Sequence, residues 1–85
     1  MSPSKHVVAA IDDDQRVRES LQSVLESAGY EAETFASAEE FLDSGVLTRA
    51  MCVIADVRLP GIDGIELQRR IRKQRPPAPV IFITA

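Results

Sequence analysis

Three short apolar runs, each closing on an oxygen-bearing side chain, constrain this chain more than anything else in it. Residues 7–11 read VVAAI and meet three aspartates, residues 51–55 read MCVIA and meet Asp56, and residues 80–83 read VIFI and meet Thr84. Runs of this length without polar alternation suit strands buried on both faces, the condition of a parallel sheet covered by helices. The segments between them supply the helices. Val17, Leu21, Val24, Leu25 and Ala28 form one apolar stripe over residues 15–28, and Gly29 offers a left-handed stop. Residues 31–35 alternate acidic with less polar side chains, as an edge strand guarded against further pairing would. Ser37 and Glu40 form a capping box for a short helix that turns Phe41 and Leu42 inward and stops near Gly45. Pro60 and Gly61 require a loop over residues 57–61. Asp63 then caps a helix with Ile65, Leu67 and Ile71 facing inward until Pro76 and Pro77 end it.

The order strand, helix, strand, helix, strand, helix, strand, without repeat or linker, predicts one α/β domain over residues 1–85 with a parallel sheet. Right-handed crossovers with helices on both faces give the strand order 2-1-3-4 and a topological switch between the first and third strands. Ligands of such sheets bind beyond the carboxyl ends of the strands at that switch, because neighbouring connections diverge there. Asp12 and Asp13 end the first strand, Asp56 the third and Thr84 the fourth, so these residues are expected at one rim. Carboxylates about 5 Å apart repel by about a kcal/mol or more per pair at intermediate dielectric, so an opposite charge is expected among them. A hard divalent cation with oxygen ligands meets that need, and no His or Cys cluster points to zinc. An Asp-Asp-Asp run on its own also reads as a turn leading into a helix N-terminus.

Composition narrows the field further. The net charge of −3 argues against bulk attraction to nucleic acid, and the cations Arg69, Arg70, Arg72, Lys73 and Arg75 are read as a solvated last helical turn. No apolar run reaches the ~20 residues that span a bilayer, and the N-terminus lacks an apolar signal core, so a cytoplasmic protein without membrane association is expected. Cys52, the one cysteine, is read as a small buried hydrophobe, and His6 as strand-edge packing without a metal-ligand partner of its own kind.

The segments IDDDQRVRESL, VIADVRLPGIDGIEL and PVIFITA, in this order and spread over the whole chain, resemble the signature segments of response-regulator receiver domains. VRLPGIDGIELQRR and ASAEEFL are most similar to regulators that carry a C-terminal helix-turn-helix DNA-binding domain. The resemblance implies a flavodoxin-like fold and two-component signalling rather than an enzyme. A histidine kinase would phosphorylate Asp56 beside Mg²⁺ or Mn²⁺, switching an output domain or partner protein, with transcriptional regulation the outcome in the full-length protein. It makes Asp13 a direct metal ligand, Asp12 a ligand through an intervening water and the carbonyl of Arg58 a further ligand. Thr84 becomes the switch hydroxyl, and Pro60 and Gly64 shape the loop and the helix start.

Family members continue through another helix, a fifth strand carrying a lysine that pairs with the phosphoryl group, and a last helix. The present sequence is expected to be a receiver portion that lacks this helix-strand-helix. Its apolar fourth strand would then be an edge, with homo-oligomerisation through it expected and no nucleic-acid binding by this chain itself. One alternative is a receiver-derived interaction or dimerisation module that is not phosphorylated. Another, a phosphatase similar to the haloacid dehalogenases, would use Asp12 and Asp14, but Arg16 stands where that pattern has Thr or Val.

Overall fold

In the computed structural model, residues 6–59, 61–74 and 78–83 are described. Four strands, β1 (Val7–Ile11), β2 (Glu31–Phe35), β3 (Ala50–Asp56) and β4 (Val80–Ile83), form one parallel sheet in the order β2-β1-β3-β4. Three helices, α1 (Gln15–Ser27), α2 (Ala38–Ser44) and α3 (Gly64–Gln74), connect them, with a single 3-10 turn at Val46–Thr48 that the sequence reading had passed over. The strand order and the α/β class are those expected.

All of β1 is buried, as its unbroken apolar run requires of a strand paired on both sides. Ile11, Phe41, Val53, Leu67 and Ile71 are the largest fully buried side chains, and Phe35 meets the Phe41 ring edge-on at 5.6 Å. The helices begin as the sequence indicates. Asp14 accepts the Arg16 N–H at 2.9 Å, Ser37 Oγ the Glu40 N–H at 3.1 Å, and Asp63 Oδ1 the Glu66 N–H at 2.9 Å. Glu40 reaches back to the Ala36 N–H, one residue before the cap. Gly29 takes φ 95°, so α1 ends on the left-handed residue expected of it.

Three expectations about facing need correction. Ile65 is 81% exposed, whereas Leu67 and Ile71 are buried. Residues two apart on a helix lie about 200° apart around its axis, so Ile65 and Leu67 cannot share a face. Ile65 instead stands at the lip of a shallow apolar hollow of about 260 Å³ with Val57, Gly64 and Phe82. Val24 is likewise 64% exposed; Val17, Leu21 and Leu25, spaced by four, are the half-buried stripe of α1, and Ala28 is exposed too. The third concerns β4, which is the edge strand expected but only half-buried rather than covered on both faces: Ile81 is 52% exposed while Val80 and Phe82 pack on the core. The acids of β2 are paired, Glu31 and Glu33 meeting Arg49 at 3.1 and 3.4 Å. His6 is exposed rather than packed, and its carbonyl accepts the Glu31 N–H. The cysteine Cys52 is half-buried, and burial pushes its thiol up from the ordinary value. Among the described residues no helix is long and apolar enough to cross a membrane.

Candidate metal and phosphoacceptor site

The site follows from where two strands stop. The sheet ladder runs on past the last residue of β1, the Asp12 N–H donating to the Phe35 carbonyl at 3.0 Å, so Asp12 leaves the sheet at its carboxyl rim. On the neighbouring strand Asp56 is still in register, paired with Ile83, and the next amide, Val57 N–H, donates to the Ile83 carbonyl at 3.1 Å. Both positions are thereby held by backbone bonds rather than by side-chain chance.

One carboxylate oxygen from each of Asp12, Asp13 and Asp56 lies within 4.8 Å of the others. The environments differ. Asp12 is 3% and Asp56 8% exposed, whereas Asp13 faces solvent. Burial pushes the Asp12 carboxyl above its ordinary value; the Asp14 amide opposes this, and the charges of Asp56, Asp13 and Asp14 add to the rise. One oxygen of each buried acid is committed locally: Asp12 Oδ1 accepts the Asp14 N–H at 2.9 Å, and Asp56 Oδ1 accepts the Arg58 N–H at 2.9 Å. The donor set is made of hard oxygens only. Cys52 pairs with Val8 near the opposite end of the sheet, away from this rim. The three aspartates therefore fit a hard divalent cation, whose charge would offset a repulsion that burial aggravates.

Of the residues singled out in the sequence, the structure brings Asp12, Asp13 and Asp56 together and sets Arg58 directly after them, its amide engaged with Asp56. Thr84 and Pro60 lie outside the described residues, as do Arg75, Pro76 and Pro77. Gly64 is buried at the start of α3, where an added Cβ would stand 2.9 Å from Phe82 Cε1. The sequence reading missed Arg18. Its Nη1 donates to the Asp12 carbonyl at 2.6 Å, and the signal was available: α1 carries two arginines and no acid in its first turn, the wrong sign for a helix N-terminus.

Comparison with known proteins agrees with this fold. The chain is 42% identical over 81 residues to the transcriptional regulatory protein FixJ of Bradyrhizobium diazoefficiens, a match covering 95% of this chain and 40% of that protein. Among solved structures it is similar to the response regulator StyR, with TM-score 0.86 and 43% identity over 96% of this chain and 41% of that one. It is also similar to the BeF3-activated receiver domain of DrrB, with TM-score 0.84 and 31% identity over 95% of this chain and 67% of that one. The chain thus spans about two fifths of the length of the curated relative FixJ. The family described as the response regulator receiver domain matches residues 8–85, and with that match over most of its length, the chain belongs to the response-regulator receiver domains.

Proposed function

We propose that this chain is a phosphoacceptor of two-component signalling, in which Asp56 takes a phosphoryl group from the phosphohistidine of a histidine kinase. The observation that carries the reading is the gathering of Asp12, Asp13 and Asp56 within 4.8 Å at the rim of the sheet. Arg58 N–H holds Asp56 Oδ1, which leaves Oδ2 to attack. The Oδ2–P bond forms as the P–N bond to the donor imidazole breaks, and the imidazole leaves with the electron pair; the product is an acyl phosphate. Asp12, Asp13, Asp56 and the carbonyl of Arg58 would hold Mg²⁺ or Mn²⁺, which supplies charge neutralisation for the transferring group. Burial of Asp56 keeps water from the nucleophile, and its backbone tether keeps the attacking oxygen oriented. Thr84, next after β4, is the hydroxyl assigned to a phosphoryl oxygen.

The negative charge added at this rim is read by an output domain or partner protein, in keeping with the transcriptional regulators the chain resembles, and in the cytoplasm. The test is beryllofluoride, the phosphoryl mimic present in the DrrB structure, together with acetyl phosphate. Beryllofluoride is expected to bind only with Mg²⁺ present, and mass spectrometry to find one phosphoryl group that Asp56→Asn abolishes. A phosphorylated Asp56→Asn chain would show that the wrong nucleophile is named. A chain that binds Mg²⁺ but neither mimic nor phosphoryl would favour an interaction module instead.

A further inference from the structure

We infer that Arg18 is the positioning residue of this site: its guanidinium braces the peptide from which Asp13 departs, and so sets where the solvent-facing metal ligand stands. The inference rests on the metal reading above and names the device that makes an exposed carboxylate part of it.

The local bonds lead to Arg18 one by one. Asp12 is fixed on its amide side by the Phe35 carbonyl and through its side chain by the Asp14 amide. Asp13 is exposed and leaves the strand just where the sheet stops guiding the backbone. The peptide bond is planar, so fixing the Asp12 carbonyl oxygen fixes the nitrogen of Asp13 and with it the direction in which Asp13 sets off. Arg18 Nη1 holds that carbonyl at 2.6 Å from a half-buried position, while the Arg18 backbone N–H donates to the Asp14 carbonyl at 3.1 Å. One residue thus grips the aspartate run at both ends. A cation in the first turn of a helix opposes the macrodipole. The contact with the Asp12 carbonyl gives this one a reason to be there.

Charge and position make opposite forecasts, which makes the inference testable. A guanidinium beside a cation site weakens cation binding by simple repulsion, so removing its charge alone would tighten the metal. Removing a brace loosens it, because Asp13 must then be ordered on binding. Calorimetry with Mg²⁺ and Mn²⁺ on the parent and on Arg18→Met is expected to show affinity falling by about five- to tenfold, the cost of ordering roughly one residue. Arg18→Lys, which keeps a donor, is expected to fall between them. In the metal-free chain, ¹⁵N relaxation is expected to show Asp13 and Asp14 losing order in Arg18→Met while the middle of α1 keeps its own. Affinity equal to or tighter than the parent's, or unchanged order at Asp13, overturns the inference. If the parent binds no metal yet Asp13 still loosens in Arg18→Met, the metal reading fails and the brace stands. Should Arg18→Met not fold, the parent decides alone. A guanidinium held on a carbonyl gives separate, slowly exchanging Nη signals, and a freely averaging one would refute the brace.

Discussion

Neutralising Asp13 is expected to stabilise the metal-free protein, because its carboxylate is the exposed third of a cluster whose other members are buried. At a separation of 4.8 Å each pair of charges repels by about 0.9 kcal/mol in bulk water and about 3.5 kcal/mol at an effective dielectric of about 20. Asp13 faces solvent, so the lower figure governs, and its two partners together cost about 1.7 kcal/mol before salt. Screening over a Debye length of about 8 Å at physiological salt roughly halves this. Asp13 also precedes the cap of α1, where a negative charge is favourable by about 0.3 kcal/mol or more. The net expectation for Asp13→Asn is a gain of about 1 kcal/mol at low salt, or about 4–8 °C in melting temperature for a domain of this size. With metal the order reverses: at a hundredfold excess over its dissociation constant a bound cation adds about 2.7 kcal/mol to the parent, and Asp13→Asn forgoes most of it. Thermal melts of both proteins in EDTA and in a Mg²⁺ series, repeated at high salt, make the measurement. Asp13→Asn melting at or below the parent in EDTA, or Mg²⁺ raising both equally, would refute the reasoning.

Gly64→Ala sets a methyl 2.9 Å from Phe82 Cε1, and the forced shift of the ring is expected to outweigh a helix-propensity gain of about 1 kcal/mol, leaving a net loss of about 1 kcal/mol in urea unfolding. A more stable Gly64→Ala would show the ring free to give way. A polypeptide of these 85 residues alone, with β4 at the sheet edge, is expected to pair two chains there, since burying ~300 Å² contributes about 7 kcal/mol before association costs. Light scattering after size exclusion is expected to find assemblies that Ile81→Lys returns to monomer; Ile81, not the inward-packed Phe82, is the position to charge. The Glu66 carboxyl, held down to about 2 by side-chain hydrogen bonds from Arg69 and then Arg70, is expected to titrate well below 4.5 in ¹³C spectra. Its folded value is depressed, so its contribution to stability is present above 4.5 and is lost as pH falls toward about 2. A midpoint unchanged in a variant lacking both arginines would show that those bonds do not form in solution.

The strands, their order and the convergence of the acids were legible because each depends on local facts: an unbroken apolar run, a polar residue where it stops, and the rule that parallel crossovers turn one way. Facing was harder to read. Ile65 leaves α3 about 200° from Leu67, so angle decides its exposure, whereas Val24 lies within about 20° of Val17 around α1 and is exposed although it shares that residue's face. The half-burial of β4 depends on what stands beside it, which no property of VIFI encodes. Arg18 was hidden for the opposite reason, since a charged residue in an amphipathic helix invites no question until its sign is compared with the end of the helix it occupies. Thr84 and Pro60 rest on resemblance.

The pairing of β1 with β3 has a kinetic consequence. Asp13 and Asp56 are separated by roughly forty residues of chain, so their meeting waits for a long loop to close and for a crossover through β2 and α2 to be in place. Local helix formation in α1, however early, gathers only Asp12 and Asp13. The three-carboxylate rim exists only once the central strands have found each other, so whatever occupies it has no purchase on the nascent sheet. Its influence falls on the lifetime of the finished fold: occupancy slows unfolding and leaves the rate of folding nearly as it was.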